Sequence, residues 1–180
     1  AEQEVDRAQD IIRALLELSR KTKFSVHPVE FKGLVQSTMH LITGEIPKNV
    51  AVDIQVADGL TGMMEPRRIQ QVMLNLITNA IHAMPDGGRI TISAFLDKSE
   101  QKDKFTFQVS DTGTGIAEHA LDRIFDPFFT TKEVGKGTGL GLSVIHGIIK
   151  QHQGQIQVES NPDKGTTFTV TLPAAGTQPL

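Results

Sequence analysis

The chain contains no cysteine. That absence removes disulfides, thiolate metal sites and cysteine nucleophiles together, so the fold is held by packing alone and a reducing, cytoplasmic compartment is expected. There is no apolar run near the roughly 20 residues that a bilayer-spanning helix needs, and the opening stretch AEQEVDRAQD is no secretion signal. The segment is therefore expected to make no membrane contact, whatever the rest of its parent does. Charge of one sign is not concentrated anywhere: the formal net charge is −3 and the positive residues are scattered. A nucleic-acid surface and a polybasic lipid patch are both excluded as readings. Internal repeats and low-complexity tracts are also missing. What remains is 180 residues, 38% hydrophobic and 22% charged, enough for one domain with a core and a short appendage. The chain starts on Ala1 rather than Met, and is expected to be a segment of a longer protein.

Apolar residues at Val5, Ala8, Ile11, Ile12, Leu15, Leu16 and Leu18 have a helical period and predict an amphipathic helix that needs a partner. The following SRKTKFSVHP is basic, aperiodic and ends in Pro28, which reads as a linker. The domain boundaries expected are residues 1–22 for the helix, 23–28 for the linker, 29–174 for the main domain and 175–180 for a tail. Within the main domain a helix is predicted over Phe31 to Ile46, then a half-buried strand from the alternation of Val50, Val52, Ile54 and Val56. A second helix starts at Pro66, a favourable first-turn residue, and carries the stripe Ile69, Val72, Met73, Leu76, Ile77, Ala80 and Met84. Strands follow near Arg89–Leu96 and Phe105–Ser110, a short helix near Glu118–Ile124, an irregular stretch to Gly139, a helix near Leu140–His152, and strands near Gln155–Glu159 and Thr166–Leu172. This order, with mostly antiparallel hairpins, predicts an α+β fold: a two-layer α/β sandwich of one mixed sheet with helices on a single face, preceded by one N-terminal helix.

Four clusters carry chemistry. Asp111-Thr112-Gly113-Thr114-Gly115-Ile116 follows a strand directly. A carboxylate at a strand end accepts a hydrogen bond from the exocyclic amino group of adenine and repels the carbonyl that guanine presents there. Glycines behind it allow close approach of backbone and ligand, although a DxGxG string by itself also fits a simple turn. Gly135 to Leu142 alternates glycines up to the start of an amphipathic helix, so that successive N–H groups and the helix dipole converge on an anion. Its spacing is neither a Walker loop nor the GxGxxG of a dinucleotide fold, and in isolation a flexible linker fits it too. Asn75, Asn79 and His82 share one face of the second main helix, off its apolar stripe. A carboxamide oxygen is a hard, neutral ligand suited to Mg2+ already carrying phosphate oxygens; a solvent-facing helix surface is the plainer alternative. In Phe125-Asp126-Pro127-Phe128-Phe129-Thr130-Thr131-Lys132, three aromatics can anchor an irregular loop while Lys132 reaches a phosphate.

NLITNAIHAM, DTGTGI, FDPFFTTK and GKGTGLGLS, in this order, resemble the N, G1, F and G2 boxes of the sensor histidine kinases, within the GHKL superfamily that also holds gyrase, a heat-shock chaperone and mismatch-repair ATPases. PFFTTK followed by GTGLGLS is similar to the nitrogen-regulatory type, and RAQDIIRALLELSR resembles the second helix of the dimerisation hairpin, half of a four-helix bundle. The resemblance implies Mg–ATP as cofactor, with Asp111, Gly113, Gly115 and Ile116 at the adenine, Asn79 on Mg2+ with Asn75 nearby, and His82 near the phosphates. It puts Lys132, Gly137, Thr138, Gly139, Leu140, Gly141 and Leu142 in or beside the ATP lid. Hydrolysing relatives carry a glutamate one turn before the metal-binding Asn; here Asn75 stands there, and a carboxamide is no general base. Phosphoryl transfer to a histidine on the dimerisation hairpin, for relay to a response regulator receiver domain, is the implied activity, in a parent that is a homodimer. A hydrolytic ATPase of the same superfamily and a non-catalytic nucleotide sensor are the alternatives. The acceptor histidine of the family precedes Asp or Glu; His27, His40, His82, His119, His146 and His152 are followed by Pro, Leu, Ala, Ala, Gly and Gln. None of the six qualifies.

Overall fold

The computed structural model describes residues 24–98, 103–130 and 138–175. The helix expected over Val5–Leu18 and the tail beyond Ala175 lie outside these residues, as do Lys132 and Gly137. The elements in chain order are β1 (His27–Glu30), α1 (Phe31–Ile42) with a 3-10 turn (Thr43–Glu45), β2 (Val50–Gln55), β3 (Thr61–Met64), α2 (Pro66–Ala83), β4 (Gly88–Asp97), β5 (Lys104–Asp111), α3 (Glu118–Leu121), α4 (Gly141–Gln151), β6 (Gln155–Asn161) and β7 (Gly165–Pro173).

One five-stranded sheet in the order β2-β4-β5-β7-β6 forms the floor. β2 runs parallel to β4, and the other neighbours are antiparallel. Alternation decides which face is covered. Ile90 and Ile92 of β4, Phe105, Phe107 and Val109 of β5, and Phe168, Val170 and Leu172 of β7 are all buried, while the residues between them face the other way. On that opposite face Gln108 donates to Thr169 at 3.1 Å and Ser110 pairs with Thr167 at 2.9 Å, a ladder of uncharged polar groups. The helices pack on the apolar face only, as a two-layer sandwich requires.

α2 is the central helix, and its stripe Ile69, Val72, Met73, Leu76, Ile77 and Ala80 is buried. Its start is fixed locally: the Glu65 carboxylate accepts from the N–H groups of Arg67 (3.3 Å) and Arg68 (2.8 Å), with Pro66 in the first turn. Ile145, Ile148 and Ile149 of α4 enter the same core. Phe31 packs on Phe105 and Phe107 with ring centroids 5.1 and 5.0 Å apart, tying α1 to the sheet centre.

Three local features differ from the sequence reading. His27 and Pro28 belong to β1, paired with Met64 and Met63 in a separate two-stranded sheet, so the first strand starts two residues before the expected boundary. Proline is compatible with such an edge strand. The helix from Phe31 stops at Ile42 rather than Ile46 and tightens into the 3-10 turn. The short helix ends at Leu121, because the N–H groups of Arg123 and Asp126 turn back to the carbonyls three residues earlier and Pro127 follows.

Candidate nucleotide site

Asp111 is the last residue of β5. Its Oδ1 accepts from the N–H of Gly113 at 2.8 Å and of Thr166 at 3.3 Å. Oδ2 receives no hydrogen bond among the described residues. Burial pushes this carboxyl above the ordinary carboxylate range, against the two backbone hydrogen bonds that lower it. A half-buried carboxylate with one satisfied oxygen and one open oxygen is oriented by the protein and available to a donor from outside it.

The loop behind Asp111 is stapled on both sides. The Thr114 N–H donates to Ala83 O, the last residue of α2, at 2.9 Å; the Asp163 N–H donates to Thr114 O at 2.9 Å, and the Ile116 N–H to Ser160 Oγ at 2.8 Å. The glycines here have a packing role as well. A Cβ on Gly113 would strike the Ala83 backbone, and one on Gly115, at φ +71°, would strike the Asn161 carbonyl. Their missing side chains let the loop wedge between α2 and the β6–β7 turn, a close approach of chain to chain.

Asn79 and Asn75 are half-buried on α2, and His82 is exposed on its last turn. Because Ala83 is bonded to Thr114, the end of α2 carrying these residues lies at the Asp111 end of the sheet. α4 begins at that same end: it runs antiparallel to β6, which finishes at Asn161 beside Gly115. The first turn of α4 holds no acidic residue, and among the described residues no side chain caps it; a helix start of this kind suits an anion. Gly141, its first residue, has open space where a Cβ would sit. Gly139, at φ +65°, is packed against the Phe128 backbone instead. Leu140 is buried, and its N–H reaches Thr138 Oγ1 at 3.4 Å; Leu142 packs half-buried against the core. The donor set fits an adenine nucleotide with Mg2+: an open carboxylate oxygen for the base, neutral carboxamides for the metal and a helix start for phosphate.

Residues 64–176 match the family model described as histidine kinase-, DNA gyrase B-, and HSP90-like ATPase. The chain belongs to this family, in its sensor histidine kinase branch. It is similar to the sensor kinase CckA of Brucella abortus (strain 2308), 39% identical over 95% of the chain and 19% of that protein. It is 32% identical to the catalytic domain of the histidine kinase ThkA over 83% of the chain and 96% of that domain, with a TM-score of 0.68. ThkA in complex with the response regulator protein TrrA is a further neighbour, at 28% identity over 96% of the chain and 48% of that chain, with a TM-score of 0.72. The chain spans well under half the length of the curated relatives it matches.

In this sensor-kinase domain the three box phenylalanines divide rather than acting together. Phe125 lies 5.5 Å from the His146 ring of α4, and Phe129 lies under the Arg123 guanidinium at 4.6 Å. Phe128 is 68% exposed, so it anchors nothing by its side chain. Its role is in the backbone: at φ +67° its N–H donates to Gly139 O at 2.9 Å and closes the base of the loop between them. The sequence places a turn at Asn161–Gly165, where β6 meets β7, but does not show what that turn packs against. Gly165, at φ +90°, lies so close under the Asp111 carbonyl that a Cβ would overlap it, and Ser160 and Thr166 bond to each other at 2.9 Å while supporting Ile116 and Asp111. The motif Asn-Pro-Asp-Lys-Gly announces a turn, but no local signal says that the turn packs beneath a residue fifty positions earlier.

Proposed function

We propose that the chain binds Mg–ATP and transfers its γ-phosphoryl group to a histidine on the dimerisation hairpin of its parent kinase, for relay to the receiver domain of a response regulator. The observation that carries this is the arrangement of Asp111: a carboxylate oriented by two backbone N–H groups through one oxygen and open at the other. That geometry suits the amino group of adenine and disfavours the carbonyl of guanine. Asn79, with Asn75 one turn earlier, supplies neutral oxygens to Mg2+. The start of α4 at Gly141, with Thr138 and Gly139 before it, supplies backbone donors to the phosphates. Lys132 and His82 are the side chains proposed to add positive charge there. Bound Mg2+ would neutralise charge on the phosphate oxygens, and the protein's share is positioning.

Transfer rather than hydrolysis is favoured by Asn75. Its position one helical turn before Asn79 is where a general base would activate water, and a carboxamide takes no proton. ThkA, a similar kinase, is known in complex with a response regulator; a receiver domain as the downstream partner, a homodimeric parent and a cytoplasmic position for this domain extend the same reading. Among the described residues no helix is long and apolar enough to cross a membrane.

Incubating the chain with Mg–ATP labelled on the γ-phosphate, with and without the parent's hairpin, tests the proposal. Acid-labile, alkali-stable label is expected on the hairpin and none on the chain alone, since no histidine in it has the acceptor context. Steady release of inorganic phosphate by the chain would instead make it an ATPase. Binding without transfer to the hairpin would make it a nucleotide sensor.

A further inference from the structure

His152 lies at the opposite end of α2 and α4 from the nucleotide site, and it is 3% exposed. Its Nε2 accepts from the Glu65 N–H at 3.0 Å, immediately before α2. Nδ1 must then carry the proton, and it donates to Ile148 O at 2.8 Å in the last turn of α4. The edge of the ring meets Phe24 at 4.8 Å between centroids, with an interplanar angle of 81°. One imidazole thus joins the start of α2, the end of α4 and the segment that enters the domain from the N-terminal side. Phe24 remains 42% exposed and makes this contact from outside the core.

From that joint the two helices run side by side toward Asp111. α2 reaches Asn79 about 20 Å away and α4 reaches Gly141 about 16 Å away, at ~1.5 Å per residue. Their far ends carry the two groups assigned to Mg2+ and to phosphate; the adenine is held by β5 and the β6–β7 turn, to which the Ala83 end of α2 is stapled through Thr114, so that a change at the joint is taken up by α4. The position of α4 relative to α2 at the triphosphate is therefore set at the His152 joint, while α2 stays tied to the loop that reads the base.

We propose that His152 is a positioning residue for the Mg-bound triphosphate, the pivot of the α2–α4 pair, and that Phe24, just before β1, steadies its ring. This rests on the nucleotide site described under the proposed function. Losing the Glu65 N–H acceptor frees the two helix ends to shift relative to each other. The effect falls on the triphosphate and spares the base.

Binding of Mg–ATP and of adenosine is compared at pH 7.5 for the wild-type chain and for His152→Leu, His152→Gln and Phe24→Ala. His152→Leu is expected to weaken Mg–ATP by about tenfold, the scale of one lost buried hydrogen bond, with adenosine affinity unchanged. His152→Gln, whose amide both accepts and donates, is expected to restore Mg–ATP binding. Phe24→Ala is expected to move the ATP-to-adenosine ratio the same way by a smaller factor. An unchanged ratio in the folded variants overturns the pivot, and so does an equal loss for both ligands. Should His152→Leu fail to fold, Phe24→Ala decides by the same ratio. A wild-type chain that binds adenosine but gains nothing from Mg–triphosphate overturns the site reading itself, and the pivot with it.

Discussion

The two ends of the nucleotide site are built differently. Around Asp111 the chain is fixed from several directions: Thr114 to Ala83, Asp163 to Thr114, Ile116 to Ser160, and glycines whose missing side chains let three backbone segments touch. At the phosphate end a single described backbone hydrogen bond, Phe128 N–H to Gly139 O, closes the loop base, and no side chain among the described residues caps the start of α4. The difference matches what the proposed function asks of each end. Reading a base requires a carboxylate that does not move, because discrimination comes from an acceptor held where a wrong group would be repelled. Giving up a phosphoryl group requires donors free to follow the substrate.

Glycine substitution is the harshest way to break this contrast. Gly165→Ala places a Cβ against the Asp111 carbonyl at φ +90°. It is expected to cost about 1–3 kcal/mol from backbone strain plus the displacement of Asp111, so thermal denaturation should show a clearly lowered Tm and adenosine binding should be lost. Gly141→Ala meets open space; it is expected to leave Tm unchanged or slightly raised and to affect only nucleotides that carry phosphates.

That asymmetry also marks what was legible in the sequence. The stripes of α2 and α4 and the alternation of β4, β5 and β7 read directly, because each buries one face against one layer. Asp111, Asn79 and the glycine run stand out as candidates because the chemistry proposed for them is local to a short string. β1 and β3 were not, being too short to show alternation and, in β1, masked by Pro28. Nor were Gly165, Ser160 and Thr166, or the divided roles of the three phenylalanines, because their meaning lies in contacts between segments distant in sequence. His152 looked like the end of a helix and gave no sign of the Glu65 N–H it accepts.

A smaller effect concerns acid. Burial holds the His152 imidazole below its ordinary value, with Arg68 adding to this and Ile148 and Glu65 opposing it. As pH falls the unfolded chain takes up its proton first, at about 6.5. The contribution of His152 is therefore complete above that pH and is lost as pH drops toward the lower folded value. Urea denaturation between pH 7.5 and 5 is expected to show falling stability, and His152→Gln to flatten that decline; parallel curves would refute it. The smallest effect is at Phe128. Glycine there relieves the φ of +67° while deleting an exposed ring. Phe128→Gly is expected to raise stability by at most about 1 kcal/mol, and a marked loss would mean that the side chain has a partner in the folded chain.

Asp111 joins both comparisons, because its ionised form is disfavoured by burial and yet is the form that accepts a hydrogen bond. Asp111→Asn keeps an oxygen for the Gly113 and Thr166 N–H groups, so the unliganded Tm should be unchanged or slightly higher. The most direct measurement is calorimetric titration of the wild-type chain and of this variant with Mg–ATP and Mg–GTP. The wild type should bind the adenine nucleotide with a large preference, and the variant should lose that binding while remaining folded. Equal affinity of the wild type for both nucleotides, or undiminished ATP binding by Asp111→Asn, would contradict the assignment of Asp111 as the group that reads the base.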